Sequence, residues 1–523
     1  MPSLLTYPGV YLEEIPSGVR PIVGVATSIT AFLGRSLRGA TNKPTRVTNF
    51  GDFERKFGGI AYDYPLSYAV RQFFLNGGTD AVIVRIANVG ANGDAVKATQ
   101  NVNGIPLEAA GEGDWGNRIQ IRIDLNTPDS SKQFNLFVRD KETQTTEVFR
   151  NLSIAEDDAK FFRTVINDGS ALIEFDSTQS LPSSMPSAHA DIADPRENPW
   201  ADDKAGTYYT FLQGGANGSA IDSADVIGSE AAKTGIYALE KVDLFNLLCI
   251  PPFSRKAETP AEVYTAAAKY CDKRRAMLIV DPPRDSVTVE QGEAFVANDV
   301  YKGVAAYNKN AAVFFPWLKA VDPAKENRIQ EFAPCGAVAG IMARTDLTRG
   351  VWKSPAGIEA ALVGVSDFTF NMTDQENGRL NILGINCLRN FRGVGNVVWG
   401  SRTLAGADIL AYEWKYLAVR RFTLFLEESL YRGTQWVVFE PNDEPLWAQI
   451  RLNVGAFMQN LFRQGAFQGR SPREAYFVRC GSDTTTQNDI NRGIVNVEVG
   501  FAPLKPAEFV VIKFQQMTGK IDT

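Results

Sequence analysis

The sequence is poor in the residues that build catalytic and metal sites. It has one histidine, His189, and five widely spaced cysteines without a C-x-x-C pair. A Ser–His–Asp triad needs a histidine held on a rigid frame by a carboxylate, whereas His189 lies in a Pro/Ser-rich stretch spanning 181–203. One histidine also cannot supply the ligands of a histidine-based zinc or iron site. We therefore expect no catalytic residue, no metal site and no cofactor.

Phosphate-binding and nucleic-acid-binding signatures are missing as well. No G-x-x-x-x-G-K-[ST] loop occurs, and Gly393-Val394-Gly395 lacks the third glycine of a dinucleotide fingerprint, which favours a bend between strands. The net charge of −6 comes without a dense Lys/Arg block, so we expect no nucleic-acid partner. A glycosidase-type pair of carboxylates stays open at this point, since sequence spacing does not reveal buried partners.

Long apolar runs and a leader are also absent from the sequence. No stretch approaches the roughly 18 consecutive apolar residues of a membrane span. The N-terminal residues 1–18 show neither the basic nor the apolar region of a signal peptide. An odd number of scattered cysteines is typical of free, mostly buried thiols in a reducing compartment. We expect a chain made in the bacterial cytoplasm that does not insert into a membrane.

What the chain does have is an alternation of apolar strands and helices. Its 523 residues, of which 44% are hydrophobic and 22% charged, predict several packed domains. A buried strand is predicted over Ala81–Ala87, and three further apolar runs follow the polar middle of the chain at Leu244–Ile250, Ala276–Val280 and Ala311–Trp317. A capping box at Thr259–Glu262 predicts a helix between two of them. This order predicts an α/β core with a parallel sheet.

Residues 88–215 form a polar interruption of that core. Clean alternation over Asn117–Leu125 predicts a half-buried antiparallel strand, and further strands and one helix, Ala155–Asn167, follow. We interpret this segment as an inserted, mostly-β α+β domain that faces outward. The α/β core then consists of residues 27–87 and 216–380.

The C-terminal third predicts an α+β domain over residues 381–505. Two helices are expected, Ala411–Arg432 and Pro445–Arg463, and the second has one apolar face. Its opposite face is polar but nearly uncharged, unlike most solvent-exposed helix faces, and carries Gln449, Asn453, Asn460 and Arg463. Contact with a partner and simple solvation both remain open for this face.

The two ends of the chain are extended segments punctuated by proline and glycine. Residues 1–26 contain the short strand-like run Val10, Tyr11 and Leu12. Residues 506–523 contain a predicted strand, Phe509–Gln515, that places Val510, Ile512 and Phe514 on one face. Each end is either a disordered tail or a strand lent to another molecule by strand addition.

Several longer motifs resemble contractile tail sheath proteins, the family of contractile phage tails, phage-tail-like bacteriocins and extracellular contractile injection systems. The similarity covers nearly the whole chain and is most variable in the insertion. The matching motifs are YPGVYLEEIPSGVRPIVGVATSITAFLGRS (Tyr7–Ser36), FGDFERKFGG (Phe50–Gly59), NGGTDAVIVRI (Asn76–Ile86), DWGNRI (Asp114–Ile119), LQGGANG (Leu212–Gly218), KVDLFNLLCIPP (Lys241–Pro252) and GAFQGRSPREAYFVRC (Gly465–Cys480).

The resemblance implies a structural subunit rather than an enzyme. Such subunits stack as hexameric rings or a six-start helix around an inner tube, contact baseplate and terminal cap proteins, and contract to drive the tube through a cell envelope. It also implies that both terminal arms add strands to a sheet in the C-terminal domain of neighbouring copies, and it leaves open which of the three kinds of particle is built. Two alternatives remain: a soluble α/β hydrolase with an inserted domain, or another structural protein of the tail or baseplate.

Overall fold

The computed structural model describes residues 20–89, 95–192, 194, 196–297, 308–410 and 412–513. The strands are β1 Thr30–Gly34, β2 Thr45–Val47, β3 Ala81–Arg85, β4 Ala95–Val96, β5 Thr99–Val102, β6 Ile105–Ala109, β7 Ile119–Asp124, β8 Gln133–Asp140, β9 Thr146–Ser153, β10 Ile173–Phe175, β11 Thr210–Phe211, β12 Ala216–Asn217, β13 Leu247–Cys249, β14 Met277–Val280, β15 Ala311–Phe315, β16 Leu318–Asp322, β17 Arg328–Phe332, β18 Asp367–Phe368, β19 Asn386–Phe391, β20 Gly395–Val398, β21 Tyr476–Arg479 and β22 Glu498–Phe501. The helices are α1 Phe50–Phe57, α2 Pro65–Leu75, α3 Phe162–Gly169, α4 Ser223–Ile227, α5 Ala261–Lys273, α6 Val289–Ala297, α7 Cys335–Arg349, α8 Asp374–Asn381, α9 Leu417–Gly433, α10 Glu444–Arg463, α11 Pro472–Ala475 and α12 Gln487–Asn491. Among the described helices none is both long and apolar enough to cross a membrane.

The chain divides into two compact units. The larger consists of residues 27–348 and 355–417, and the described part of the smaller consists of residues 20–26, 349–354 and 418–513. The predicted start of a C-terminal domain at residue 381 does not coincide with this division. The reason is that β19 and β20, which lie beyond that point, pair within the large sheet of the first unit.

The larger unit is built on an eight-stranded sheet in the order β2-β3-β1-β13-β14-β15-β19-β20. The strands from β3 to β19 run parallel, and the two edge strands β2 and β20 are antiparallel. Every side chain of β1, β3, β13, β14 and β15 is buried, as expected of parallel strands covered by helices on both faces. The predicted α/β core is confirmed.

Two helices of this core show how local sequence and close packing decide the fold. Helix α5 begins at the expected place, but the capping box is wrong: the Thr259 hydroxyl donates to the Ile250 carbonyl oxygen at 3.0 Å, and Pro260 occupies the N-cap without a side-chain bond. Helix α7 crosses α2 at Gly336, where an added Cβ would lie 2.1 Å from the Ala69 carbonyl oxygen. Only glycine permits that approach.

The insertion forms a mostly-β body with its own core, as predicted. Its two ends meet in the antiparallel pair β4–β12, and the body contains a three-stranded sheet, β10-β6-β5, and a four-stranded sheet, β11-β7-β8-β9. Trp115, Phe134 and Phe162 are fully buried among the aliphatic side chains of these strands. Helix α3, the one α-helix in the described part of the insertion, starts later than the predicted Ala155, because residues 156–160 form turns and a bend and Phe161 forms a β-bridge with Ser153.

The smaller unit packs α9 and α10 against the β21–β22 hairpin. Its core includes Phe422, Trp447, Phe457, Met458 and Phe467. The helix expected from Ala411 begins only at Leu417, and the strand expected over Ile494–Phe501 is confined to β22. The described residues 509–513 adopt no strand in this single chain.

Candidate assembly surfaces

The lone histidine is a buried structural residue. His189 Nδ1 accepts a hydrogen bond from the Ile123 backbone N–H at 3.0 Å, and Nε2 lies 3.0 Å from the Thr210 hydroxyl. Burial lowers the pKa of the imidazole, so the ring is neutral and its Nε2–H is directed to Thr210. From its place in the Pro/Ser-rich stretch, we expected little to hold this histidine in position. That expectation is wrong, because residues of the inserted domain contact both ring nitrogens.

The five cysteines are free and buried, as predicted. Burial raises the pKa of Cys249, Cys271, Cys335 and Cys480, and it raises the pKa of Cys387 to about 12. These thiols are therefore protonated and unreactive in the folded chain. In the part of the chain that the structure describes, no group of three His, Cys, Asp or Glu side chains is placed to hold a metal ion.

A small cleft, open to solvent, lies beyond the carboxyl ends of β13 and β15. Its guanidinium groups are already engaged. Arg255 lies 4.4 Å from the ring centroids of Tyr68 and Phe332 and is paired with Asp322 at 2.9 Å. Arg284 is paired with Glu331 at 3.1 Å. These contacts fasten the loops around the cleft to each other, so its guanidinium groups are not free to bind a ligand.

The β21–β22 hairpin has an open edge. The Ala502 N–H donates to the Ala475 carbonyl oxygen at 2.8 Å, which shows that residue 502 points towards the β21 side. Backbone groups alternate along an antiparallel strand, so Val499 and Phe501 direct their N–H groups the other way. No hydrogen-bond partner for these two groups lies within the described ranges. Such an edge is a template for another strand.

The C-terminal tail presents an uncovered apolar segment. Phe509, Val510, Val511 and Ile512 are 71–80% exposed in succession. Contiguous exposed apolar side chains of this size mark an interaction surface. Two of the predicted arm residues, Val510 and Ile512, belong to this segment. Phe514 and the N-terminal residues Val10, Tyr11 and Leu12 lie outside the described residues.

The outer face of α10 differs from its sequence-based description at one position. Gln449, Asn460 and Arg463 are exposed, as predicted. Asn453 is buried, with 2% of its surface exposed, and its Oδ1 accepts a hydrogen bond from the Arg20 backbone N–H at 3.2 Å. The helical pattern could not reveal this, because the covering residues lie more than 400 positions away. Leu452, 55% exposed, joins the outer face instead.

Comparison with protein families identifies two regions. Residues 225–404 match the phage tail sheath protein central domain, and residues 412–517 match the phage tail sheath C-terminal domain. Together these matches cover more than half of the chain. Neither includes the insertion.

Individual relatives agree with this result. A prophage major tail sheath protein of Pseudomonas aeruginosa (strain UCBPP-PA14) is 27% identical over 296 residues, which is 55% of this chain and 70% of that protein. The tail sheath protein of Enterobacteria phage T4 is 24% identical over 53% of this chain, but the match spans only 42% of the T4 protein.

Solved structures show the same fold over almost the full length. The sheath complex of the extracellular contractile injection system PVC, in its contracted state, has a TM-score of 0.58 at 22% identity, with 98% of each chain covered. The sheath tail protein of Listeria innocua has a TM-score of 0.58 at 14% identity, covering 92% of this chain and 96% of that one. With the α/β core, the inserted domain and the open hairpin in place, the family matches over residues 225–404 and 412–517 show that the chain belongs to the phage tail sheath protein family.

Proposed function

We propose that this chain is the repeating subunit of a contractile sheath that assembles in the bacterial cytoplasm around an inner tube and drives that tube through a target envelope. The observation that carries the proposal is the presence, in one molecule, of an unpaired strand edge and an uncovered apolar tail. A strand donor and a strand acceptor on the same chain join copies head to tail, which generates rings or helical arrays.

The tail suits strand addition to the β22 edge. Strand addition takes affinity from main-chain hydrogen bonds and specificity from alternate side chains, and Val499 and Phe501 offer the free donors. Burying the two large apolar side chains of one face, Val510 and Ile512, contributes roughly 1.5–3 kcal/mol each before the cost of ordering the tail is subtracted. An inter-subunit contact of that strength keeps neighbouring subunits connected while they rotate. The sheath therefore needs no active site.

The partner on the inside of the sheath is proposed to be the tube protein, with baseplate and cap proteins at the ends. The face of α10 with Gln449, Leu452, Asn460 and Arg463 supports the contact to the tube, because it is exposed and almost uncharged. The similar proteins come from both phage tails and injection systems, so they do not decide which kind of particle this chain builds. In each case the sheath is proposed to be part of a phage tail or a phage-tail-like particle.

The arm is tested by the double substitution Val510→Asp and Ile512→Asp. We expect a folded subunit that no longer forms tubes in electron microscopy or pellets as polymer, because the charged side chains cannot be buried against a neighbour. Leu347→Asp is the matched control, since Leu347 is also exposed, at 78%, but lies on α7. Normal tubes from the double variant would reject the arm.

The tube contact is tested separately with Asn460→Asp. Sheath self-assembly is expected to persist while co-sedimentation with the tube protein weakens. Asp158→Asn, an exposed change in the insertion, serves as the control. Unchanged co-sedimentation of the Asn460 variant would remove α10 as the tube-facing element and leave the sheath assignment intact.

A further inference from the structure

Residues 20–25 lie along α9 and α10 of their own unit. The Arg20 guanidinium carbon is 4.7 Å from the centroid of the Trp436 ring, and the Arg20 N–H donates to Asn453 Oδ1 at 3.2 Å. Five residues later, the Val25 N–H donates to the Ser429 hydroxyl at 3.1 Å. We call residues 20–25 the strap. It is held at both of its ends by polar contacts.

Between those contacts the strap is seated by two glycines. An added Cβ at Gly433, the last residue of α9, would lie 2.6 Å from Ile22 Cγ2, so the absence of a side chain there makes room for Ile22. An added Cβ at Gly24 would lie 2.8 Å from the Phe425 ring. The backbone at both glycines is outside the left-handed region, so close packing rather than a turn explains them. Ile22 is buried in the core of the unit.

Buried polar groups on the two helices make the seat more than a surface contact. Ser429 is fully buried and Asn453 nearly so, and each binds a backbone N–H of the strap. If the strap left, these N–H groups and side chains would lose their partners, and a polar group that stays buried without one is costly. The helices and the strap are therefore matched to one another by shape and by hydrogen bonding.

We infer that Ser429, Gly433 and Asn453 are positioning residues that clamp the root of the N-terminal arm to α9 and α10. The arm then leaves its subunit from a fixed point, and a pull applied to it by a neighbour is delivered to these two helices. The clamp itself is a property of the single chain. Its effect on assembly rests on the proposed sheath function.

The decisive variant is Gly433→Val, studied in the full-length chain by hydrogen exchange and by sedimentation of polymer. The valine side chain occupies the position of Ile22, so the strap is expected to lift. Loss of its hydrogen bonds and packing should speed exchange of the Val25 amide about 30-fold, which corresponds to two ordinary hydrogen bonds. Because the arm is no longer preorganised, assembly should need an about tenfold higher protein concentration.

Gly378→Val is the matched control, because Gly378 also lies in a helix and nothing would contact a Cβ there within 4 Å. It should leave both readouts at the wild-type value. Should Gly433→Val fail to fold, the double variant Ser429→Ala/Asn453→Ala removes both hydrogen bonds without a clash and must reproduce the two effects.

Each result has a defined meaning. Unchanged exchange in residues 20–25 overturns the clamp, and faster exchange with assembly at the wild-type concentration overturns its positioning role. A wild-type chain that never polymerises refutes the proposed function, while the exchange measurement still decides whether the clamp exists.

Discussion

A buried carboxyl group at the carboxyl end of β14 makes the stability of the larger unit depend on pH. Asp281 Oδ1 accepts a hydrogen bond from the N–H of Cys335, the first residue of α7, at 2.8 Å. Oδ2 is buried and has no hydrogen-bond partner among the described residues. Burial raises the pKa of Asp281 to about 7, against an ordinary value of 3.8. The folded chain therefore favours the neutral acid.

The sign and size of the effect follow from proton linkage. Because the folded pKa lies above the unfolded one, the folded state binds more protons between about pH 4 and pH 7. The stabilisation is complete below the unfolded pKa and is lost as the pH rises through the folded pKa. The difference between the folded and unfolded pKa values of Asp281 corresponds to about 4 kcal/mol of folding stability at most. About 3 kcal/mol of this stability is lost between pH 5 and pH 8.

Asp281→Asn removes this dependence while keeping the Oδ1 acceptor for Cys335. The new amide N–H group is itself buried without an acceptor, which offsets part of the gain, so we expect the variant to be about 1–3 kcal/mol more stable than the wild type at pH 8. Urea unfolding followed by tryptophan fluorescence at pH 5 and pH 8 measures the difference, with Asp168→Asn on the surface of the insertion as control. If the gap between wild type and Asp281→Asn is the same at both pH values, Asp281 is not the titrating group.

Three further substitutions test features of the fold. His189→Ala leaves the Ile123 N–H without its acceptor and should destabilise the insertion by about 1–3 kcal/mol in thermal unfolding. Because burial lowers the pKa of His189, the stability that this residue contributes weakens as the pH falls below the ordinary value of 6.5, which is the opposite of the behaviour of Asp281. If His189→Ala leaves the pH dependence of stability as it is in the wild type, this assignment is contradicted. Gly336→Ala should cost at least about 2 kcal/mol, because its Cβ meets the Ala69 backbone, whereas Gly455→Ala, with open space around it, should stabilise α10 by up to about 1 kcal/mol. Equal unfolding midpoints for the two alanine variants would show that the contact between α7 and α2 is looser than the structure indicates.

The α/β core was predictable because its strands are continuous apolar runs, and burial on both faces requires that pattern. The start of α9 was not predictable. The helical pattern continues upstream to Ala411. In the structure, however, the Thr403 N–H donates to the Lys415 carbonyl oxygen at 3.0 Å, and Tyr416 forms an antiparallel β-bridge with Arg402, so these residues are not helical. Tertiary pairing of this kind overrides local periodicity.

The candidate surfaces were hard to predict for the same reason wherever they depend on contacts between distant parts of the chain. The sequence pattern placed Asn453 on an outer helix face, and its burial comes from a strap that no local window contains. The apolar character of the tail was predictable from the sequence, because residues 509–512 are four large apolar residues in a row, but their exposure in the single chain was not. The open edge of β22 required knowledge of which strand β22 pairs with, since the direction of each N–H follows from that pairing.

The insertion is joined to the core by a buried ion pair. Arg38 Nη1 contacts Asp140 Oδ2 at 2.6 Å, and both side chains are 5% exposed. Burial lowers the pKa of Arg38, and the neighbouring Asp140 opposes that shift. Asp140→Asn keeps the shape of the side chain but leaves the guanidinium buried without its counter-charge, which should cost about 3–5 kcal/mol in urea unfolding.

Removing the whole insertion should cost less than this single substitution. Strands β4 and β12 pair Val96 with Ala216, so replacing residues 97–215 by an Asn-Gly turn converts the two strands into a hairpin. The deletion also uncovers Arg38, and a guanidinium exposed to water does not need Asp140. We therefore expect the shortened chain to fold and polymerise while the full-length Asp140→Asn variant is strongly destabilised. A neutral Asp140→Asn variant together with an unfolded deletion would show that the insertion supports the core through its other contacts, among them the Arg85–Glu112 ion pair at 3.3 Å, rather than through this ion pair.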